Sequence, residues 1–193
     1  MNQGTQLVDS FKLVLIGDCN VGKTCMVEKL TKGQINENYK PTIGAGHTCW
    51  TCTINDDQVD FQIWDTAGEE RFASLAPIYY KDSDGAIVVF SQTDIQSAKN
   101  VPVWIERFHS TVSETTPILI CCNKIDLEPT FDNTMEQYAK SRNFMYARAS
   151  AFSGEGVEEA FLQIAEKIRL SGSSDRFLNK SLTDEKKDKK NCC

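Results

Sequence analysis

The 193-residue sequence contains no run approaching the ~18 consecutive apolar residues that a membrane-spanning helix requires. Met1 to Ser10 lacks a basic region followed by an apolar one, so no secretory signal is expected. Positive charge is also in short supply. The 21 Lys and Arg stand against 27 Asp and Glu, a net charge of −6. That balance argues against nucleic acid as a partner. Histidine occurs twice, and no second Cys/His pair lies at finger spacing from Cys49-Trp50-Thr51-Cys52. This C-x-x-C falls in the strand-like run Thr48–Ile54. Residues three apart on a strand face opposite sides, so the two thiols are expected to be ordinary strand residues rather than a metal or redox pair. Without a secretory signal the eight cysteines are expected as thiols, not disulfides. No internal repeat is visible.

What is present is a composition of 40% hydrophobic and 25% charged residues, that of a soluble globular chain with one domain of ordinary size. Apolar runs alternate with segments of helical periodicity. Phe11–Ile16 reads as a strand and Lys23–Thr31 as a helix. Thr48–Ile54 and Val59–Trp64 read as a strand pair joined at Asn55-Asp56-Asp57. Ala86–Phe90 and Ile118–Cys122 are short continuous apolar runs, as in strands buried on both faces. Helices are predicted over Ile95–Ser110 and Phe131–Arg142, a short strand over Phe144–Ala147, and a final helix after Gly156, with Val157, Ala160, Phe161, Ile164 and Ile168 on one face. This alternation predicts an α/β fold with a mostly parallel sheet, whose ligands bind at the carboxyl ends of the strands. Residues 1–10 read as an N-terminal extension, 11–170 as the domain, and 171–193 as a polar tail that is disordered by composition.

Gly17-Asp18-Cys19-Asn20-Val21-Gly22-Lys23-Thr24 follows the first strand and opens the first helix. It fits the G-x-x-x-x-G-K-[ST] phosphate-loop pattern. Successive backbone N–H groups must face a polyphosphate, and glycine permits that approach. Lys23 supplies a point charge for the β/γ-phosphates, the Thr24 hydroxyl a ligand for Mg²⁺, and the helix its positive end. Two further motifs narrow the ligand. Asp65-Thr66-Ala67-Gly68 ends a strand, placing an aspartate to hold Mg²⁺ through water and a glycine N–H for the γ-phosphate. Asn123-Lys124-Ile125-Asp126 ends another. A carboxylate there accepts from guanine N1–H and the exocyclic amine, which adenine cannot match, so the wrong base leaves a buried acceptor unpaired.

With these motifs in order over Phe11 to Leu170, the chain resembles a small GTPase of the Ras superfamily, and within it the Rab family. The resemblance implies a P-loop GTPase fold with a central six-stranded, mostly parallel sheet flanked by helices. It implies GTP and GDP as substrate and product, with Mg²⁺ as cofactor. Thr42, in Pro41-Thr42-Ile43-Gly44, matches the switch threonine that joins Thr24 and Asp65 at Mg²⁺ when the γ-phosphate is present. Trp64 to Phe72 resembles the Rab second-switch signature. Ser150 and Ala151 match the loop whose backbone contacts the guanine oxygen, and Phe152 follows where lysine is usual. The nucleotide-binding positions so implied run from Asp18 through Cys25, then Ile35, Thr42, Gly68, Asn123, Lys124, Asp126, Leu127, Ser150, Ala151 and Phe152. His47, Trp64 and Tyr79 match the surface triad that effectors read. Ser74-Leu75-Ala76-Pro77 with Tyr79-Tyr80, and Thr42 to Ala45, are similar to the early-endosomal subgroup. Cys192-Cys193 resembles the double-cysteine prenylation site of Rabs. It implies a chain that cycles between cytosol and the cytoplasmic face of vesicle or endosomal membranes. Asp184, Glu185 and Asp188 offset most of the charge of Lys186, Lys187, Lys189 and Lys190 there. The implied partners are an exchange factor, an activating protein, a GDP-dissociation inhibitor and effectors, with the chain itself a monomer.

The departures from the family pattern sit at both ends of the expected nucleotide. Glu69 replaces the glutamine that orients the attacking water, the candidate catalytic position. An ionised carboxylate accepts but cannot donate, so intrinsic hydrolysis is expected to be slow. The alternative function is therefore a nucleotide-gated effector-binding module with very low hydrolysis of its own. Ile35 replaces the aromatic that packs edge-on against the guanine, which predicts faster nucleotide release. His47 replaces a phenylalanine of the triad. It reads either as altered, pH-sensitive effector choice or as a tolerated exposed histidine.

Overall fold

The structure, a computed structural model, describes residues 9–36, 41–68, 75–132 and 134–171. Ten elements run in the order β1 Asp9–Ile16, α1 Lys23–Lys32, β2 Ala45–Ile54, β3 Asp57–Thr66, α2 Ala76–Tyr80, β4 Gly85–Ser91, α3 Ile95–His109, β5 Ile118–Asn123, α4 Met135–Ser141 and β6 Met145–Arg148. A final helix, α5, spans 157–171. The strands form a single six-stranded sheet in the order β2-β3-β1-β4-β5-β6. Only β2 is antiparallel to its neighbour; β1 pairs parallel with β3 and β4, β4 with β5, and β5 with β6. The expected α/β fold with a mostly parallel sheet is what the chain adopts.

The burial patterns follow from position in the sheet. Every residue of β4 and β5 is buried, because helices cover both faces of these central strands. The edge strand β2 alternates instead: Thr51 and Thr53 are exposed, Cys52 and Ile54 buried. Cys49 is exposed and Cys52 buried, so the two thiols of the C-x-x-C lie on opposite faces of the strand. The β2–β3 turn is the pair Asn55 and Asp56, with φ of 51° and 66°. Both angles are positive, as a two-residue hairpin of primed type demands, and Asn and Asp tolerate them better than most residues. Asp57 belongs to β3 rather than to the turn.

Two hydrophobic cores occupy the two faces. On one, Leu13, Leu15, Phe61 and Ile87 pack with Met26 of α1 and with Val157, Phe161 and Ile164 of α5. On the other, Val14, Ile16, Val88 and Phe90 meet Val101, Trp104, Ile105 and Phe108 of α3. Alternate residues of β1 thus point to opposite cores. The five apolar positions read from the sequence as one face of the last helix are all buried. Two local expectations differ. The fourth helix begins at Met135 rather than at Phe131, and Phe131 and Asp132 lie outside it. The short helix Ala76–Tyr80 was not anticipated; one turn is too short to show a periodicity. Within this layout the carboxyl ends of β1, β3 and β5 open on the same edge of the sheet, and the loops that follow them carry the three motifs.

Candidate nucleotide site

The loop after β1 is forced into shape by backbone conformations that few residues adopt. Gly17 has φ 137°, and a Cβ there would stand 2.1 Å from the carbonyl oxygen of Val89. Gly22 has φ 98°, and a Cβ would stand 2.3 Å from the amide nitrogen of Asn123. Asn20 is left-handed as well, at φ 58°. Gly22 is the N-cap of α1 and supplies no side-chain cap. The first N–H groups of the ten-residue helix therefore have no side-chain acceptor, and an anion is their natural partner.

Lys23 reaches back over this loop. Its ammonium donates to the carbonyls of Gly17 at 2.8 Å and Asp18 at 2.7 Å. Burial lowers its pKa to about 8, against the opposing pull of the Asp65 carboxylate. Cys19, Asn20, Gly22, Lys23, Thr24 and Thr42 surround a cavity of about 300 Å³, closed by Pro41, Thr66 and Gly68. Pro41 and Thr66 were not anticipated. Gly68 lies so close to the loop that a Cβ would meet the carbonyl carbon of Asp18 at 2.3 Å and Cys19 N at 2.4 Å. Only glycine lets the segment after β3 approach the phosphate loop this far.

Beside that cavity three oxygens converge. Thr24 Oγ1 donates to Asp65 Oδ2 at 2.6 Å, and Thr24 and Thr42 hydroxyls lie 2.8 Å apart. Thr42 Oγ1 is 3.4 Å from Asp65 Oδ2. The other carboxylate oxygen, Asp65 Oδ1, is buried and has no hydrogen-bond partner among the described residues. Burial raises the Asp65 pKa, opposed by the Thr24 hydrogen bond and the Lys23 charge. A buried carboxylate with an orphaned oxygen beside two hydroxyls is a hard, oxygen-only donor set, and it fits Mg²⁺. All three residues expected as ligands are thus together.

A second cavity, about 410 Å³, adjoins the first at Gly22 and is lined by Cys25, Ile35, Asn123, Lys124, Asp126, Leu127, Ala151 and Phe152. Ile35 therefore lines the same cavity as Asp126. Phe152 is 72% exposed, so the cavity has an open apolar rim. Ser150 Oγ donates to Asp126 Oδ1 at 2.6 Å, holding one carboxylate oxygen and fixing its plane. Lys124 has φ 66°, a strained conformation for a non-glycine residue.

Some expected site residues act through others. Asn123 is fully buried. Its Nδ2 donates to the Val21 carbonyl at 2.8 Å and its Oδ1 accepts the Ala151 N–H at 3.1 Å. It ties the phosphate loop to the 149–152 loop. The Val21 side chain lies in the core, leaving only its backbone for the ligand. The Asp18 side chain turns away from the cavity. Its Oδ1 accepts from Trp104 Nε1 at 2.6 Å and its Oδ2 from Asn100 Nδ2 at 2.7 Å. Asn100 and Trp104 were not anticipated. Their spacing of four puts both on one face of α3, but a tryptophan at that spacing reads as core. His47, Trp64 and Tyr79 form one aromatic row, with ring centroids 5.2 Å apart for the first pair and 6.1 Å for the second. Glu69, Cys192 and Cys193 lie outside the described residues.

A phosphate cradle, an oxygen triad and a base cavity therefore meet along one edge of the sheet. The Ras family model matches residues 12–170. The chain belongs to the Ras family. Its sheet order and motif loops are the P-loop GTPase fold of that family. The chain is also similar to "Ras-related protein RabJ" of Dictyostelium discoideum, 36% identical over 169 residues, which covers 86% of this chain and 66% of that one. The chain thus spans just under two thirds of that relative's length. Both findings support the Rab-family resemblance of the motifs.

Proposed function

We propose that this Ras-family chain is a Rab-type switch that binds GTP and hydrolyses it to GDP and phosphate. In this reading it regulates vesicle or endosomal membrane traffic through effectors that bind its GTP form. The observation that carries the reading is the joining of the two cavities at Gly22, with Lys23 in one and Asp126 in the other. Mg²⁺, held by Thr24, Thr42 and Asp65, would neutralise charge on the phosphates as it develops. GTP would order the segments around Thr42 and Gly68, and hydrolysis would release them. The Ala67 N–H donates to the Gly44 carbonyl at 2.8 Å, so these two segments are linked directly to each other. The aromatic row of His47, Trp64 and Tyr79, flanked by exposed Ile43 and Ile78, is the surface we assign to effectors. An exchange factor, an activating protein and a GDP-dissociation inhibitor are the proposed regulators. Prenylation of Cys192 and Cys193 is the proposed attachment to the cytoplasmic face of the membrane, and the early-endosomal subgroup is the finer assignment that Ser74 to Tyr80 supports.

A second reading, a nucleotide-gated binding module with very low hydrolysis, is favoured by Glu69. Its carboxylate lacks the donor that a glutamine offers to the transition state and adds negative charge beside a triphosphate. Single-turnover GTP hydrolysis by the purified chain tests this. Glu69→Gln is expected to be at least about tenfold faster; equal rates would remove Glu69 from the reaction.

A further inference from the structure

Gln92 is the residue immediately after β4, and it is 4% exposed. Burying an amide is costly unless its donors and acceptors are satisfied. Here both side-chain atoms have a partner, and two of the four residues bonded to Gln92 line the base cavity. The Gln92 N–H donates to the Asn123 carbonyl at 3.0 Å, and the Gln92 carbonyl accepts the Thr130 N–H at 3.2 Å. Side-chain Nε2 donates to the Leu127 carbonyl. Side-chain Oε1 accepts from the Arg148 guanidinium at 3.3 Å. Asn123 and Leu127 line the base cavity. Arg148 is the last residue of β6 and leads directly into the Ala149-Ser150-Ala151 loop.

The segment that Gln92 grips is otherwise lightly held. Between Asn123 and Leu127 the chain passes through the left-handed Lys124. Its backbone bonds there are Ile125 N–H to the Ala149 carbonyl at 3.3 Å and Leu127 N–H to the Lys124 carbonyl at 3.0 Å. Asp126 is carried between those two points. Its carboxylate position depends on where Leu127 is fixed on one side and Ser150 on the other, and Gln92 touches the backbone of the first and the strand leading to the second. A residue of equal volume without an amide would leave the Leu127 carbonyl and Arg148 without these partners.

We propose that Gln92 is a positioning residue for base recognition, holding both walls of the base cavity so that Asp126 meets N1–H and the exocyclic amine together. The proposal rests on the assignment of that cavity to guanine.

The test compares dissociation constants for GDP and for inosine diphosphate, which lacks the exocyclic amine, in the full chain and in Gln92→Leu and Gln92→Glu. Leucine removes both side-chain bonds. Glutamate keeps an acceptor for Arg148 but sets an oxygen against the Leu127 carbonyl. Both variants are expected to weaken GDP by about 5- to 30-fold, as loss of a buried hydrogen bond does. Inosine diphosphate should weaken less, so the preference for GDP shrinks. The glutamate variant answers the question if the leucine variant fails to fold. A general loosening of the fold weakens both ligands equally; an unchanged GDP preference in a folded variant overturns the proposal. If the unaltered chain shows no preference for GDP at all, the guanine assignment itself is wrong, and the role of Gln92 falls with it.

Discussion

Lys23 offers a prediction whose size follows from the site. Only 6% of the residue is exposed, and its ammonium donates to two loop carbonyls. Burial is the largest influence on its pKa, which falls to about 8. Phosphates in the cradle give that ammonium a close anionic partner and favour its charged form. Nucleotide binding should therefore be coupled to proton uptake. At pH 8.5 a group with a pKa of about 8 is about three quarters deprotonated, so GDP binding is expected to take up about 0.75 proton. At pH 7 the same arithmetic gives about 0.1 proton. Binding raises a depressed pKa, so affinity is full only well below pH 8 and falls as pH rises through it, by about fourfold between pH 7 and 8.5. Calorimetric titration of GDP in two buffers of different ionisation heat reads the proton count directly. Lys23→Arg, which stays charged throughout, should show weak binding and no uptake at either pH. An uptake near zero at pH 8.5 in the unaltered chain would refute a Lys23 that burial discharges and the phosphates recharge.

Two other consequences can be checked with the GDP complex. Trp104→Phe removes the indole N–H that holds Asp18 at 2.6 Å. It is expected to cost about 1–3 kcal/mol in unfolding of the complex and to speed GDP release; an unchanged release rate would uncouple α3 from the phosphate loop. Ile35→Phe places a ring on the wall of the base cavity and should slow GDP release by about 2- to 10-fold, whereas an unaltered rate would mean that Ile35 does not touch the base.

The parts of this molecule that were legible in the sequence are those where one residue type has one physical use. The glycines of the phosphate loop stand where a Cβ would strike Val89 or Asn123, so their spacing alone marks the loop. The continuous apolar runs at Ala86–Phe90 and Ile118–Cys122 became the fully buried strands, because only strands covered on both faces lose the polar alternation. Thr24, Thr42 and Asp65 converge although the first and last are forty-one positions apart; Thr24 and Asp65 showed because one lies at the start of a helix and the other at the end of a strand, whereas Thr42, in the loop before β2, was marked only by the family resemblance. What was hidden is the layer behind the site. Gln92 and Arg148 are polar residues in a strand end and an edge strand, where a single sequence offers no period to flag them. Asp18 belongs to the motif, yet its carboxylate serves α3 rather than the ligand. Asn123 likewise spends its side chain on two loops. Such roles depend on which loops the sheet order brings together, and that is a property of topology rather than of spacing.

The central claim is a site selective for a guanine nucleotide. Competition against labelled GDP, bound to the purified full chain with Mg²⁺ present, tests it most directly. A carboxylate at Asp126 can pair with the two adjacent donors of guanine, a pair that adenine does not offer, so GTP should displace the label while about a hundredfold excess of ATP leaves it bound. Displacement by ATP as readily as by GTP would contradict the account.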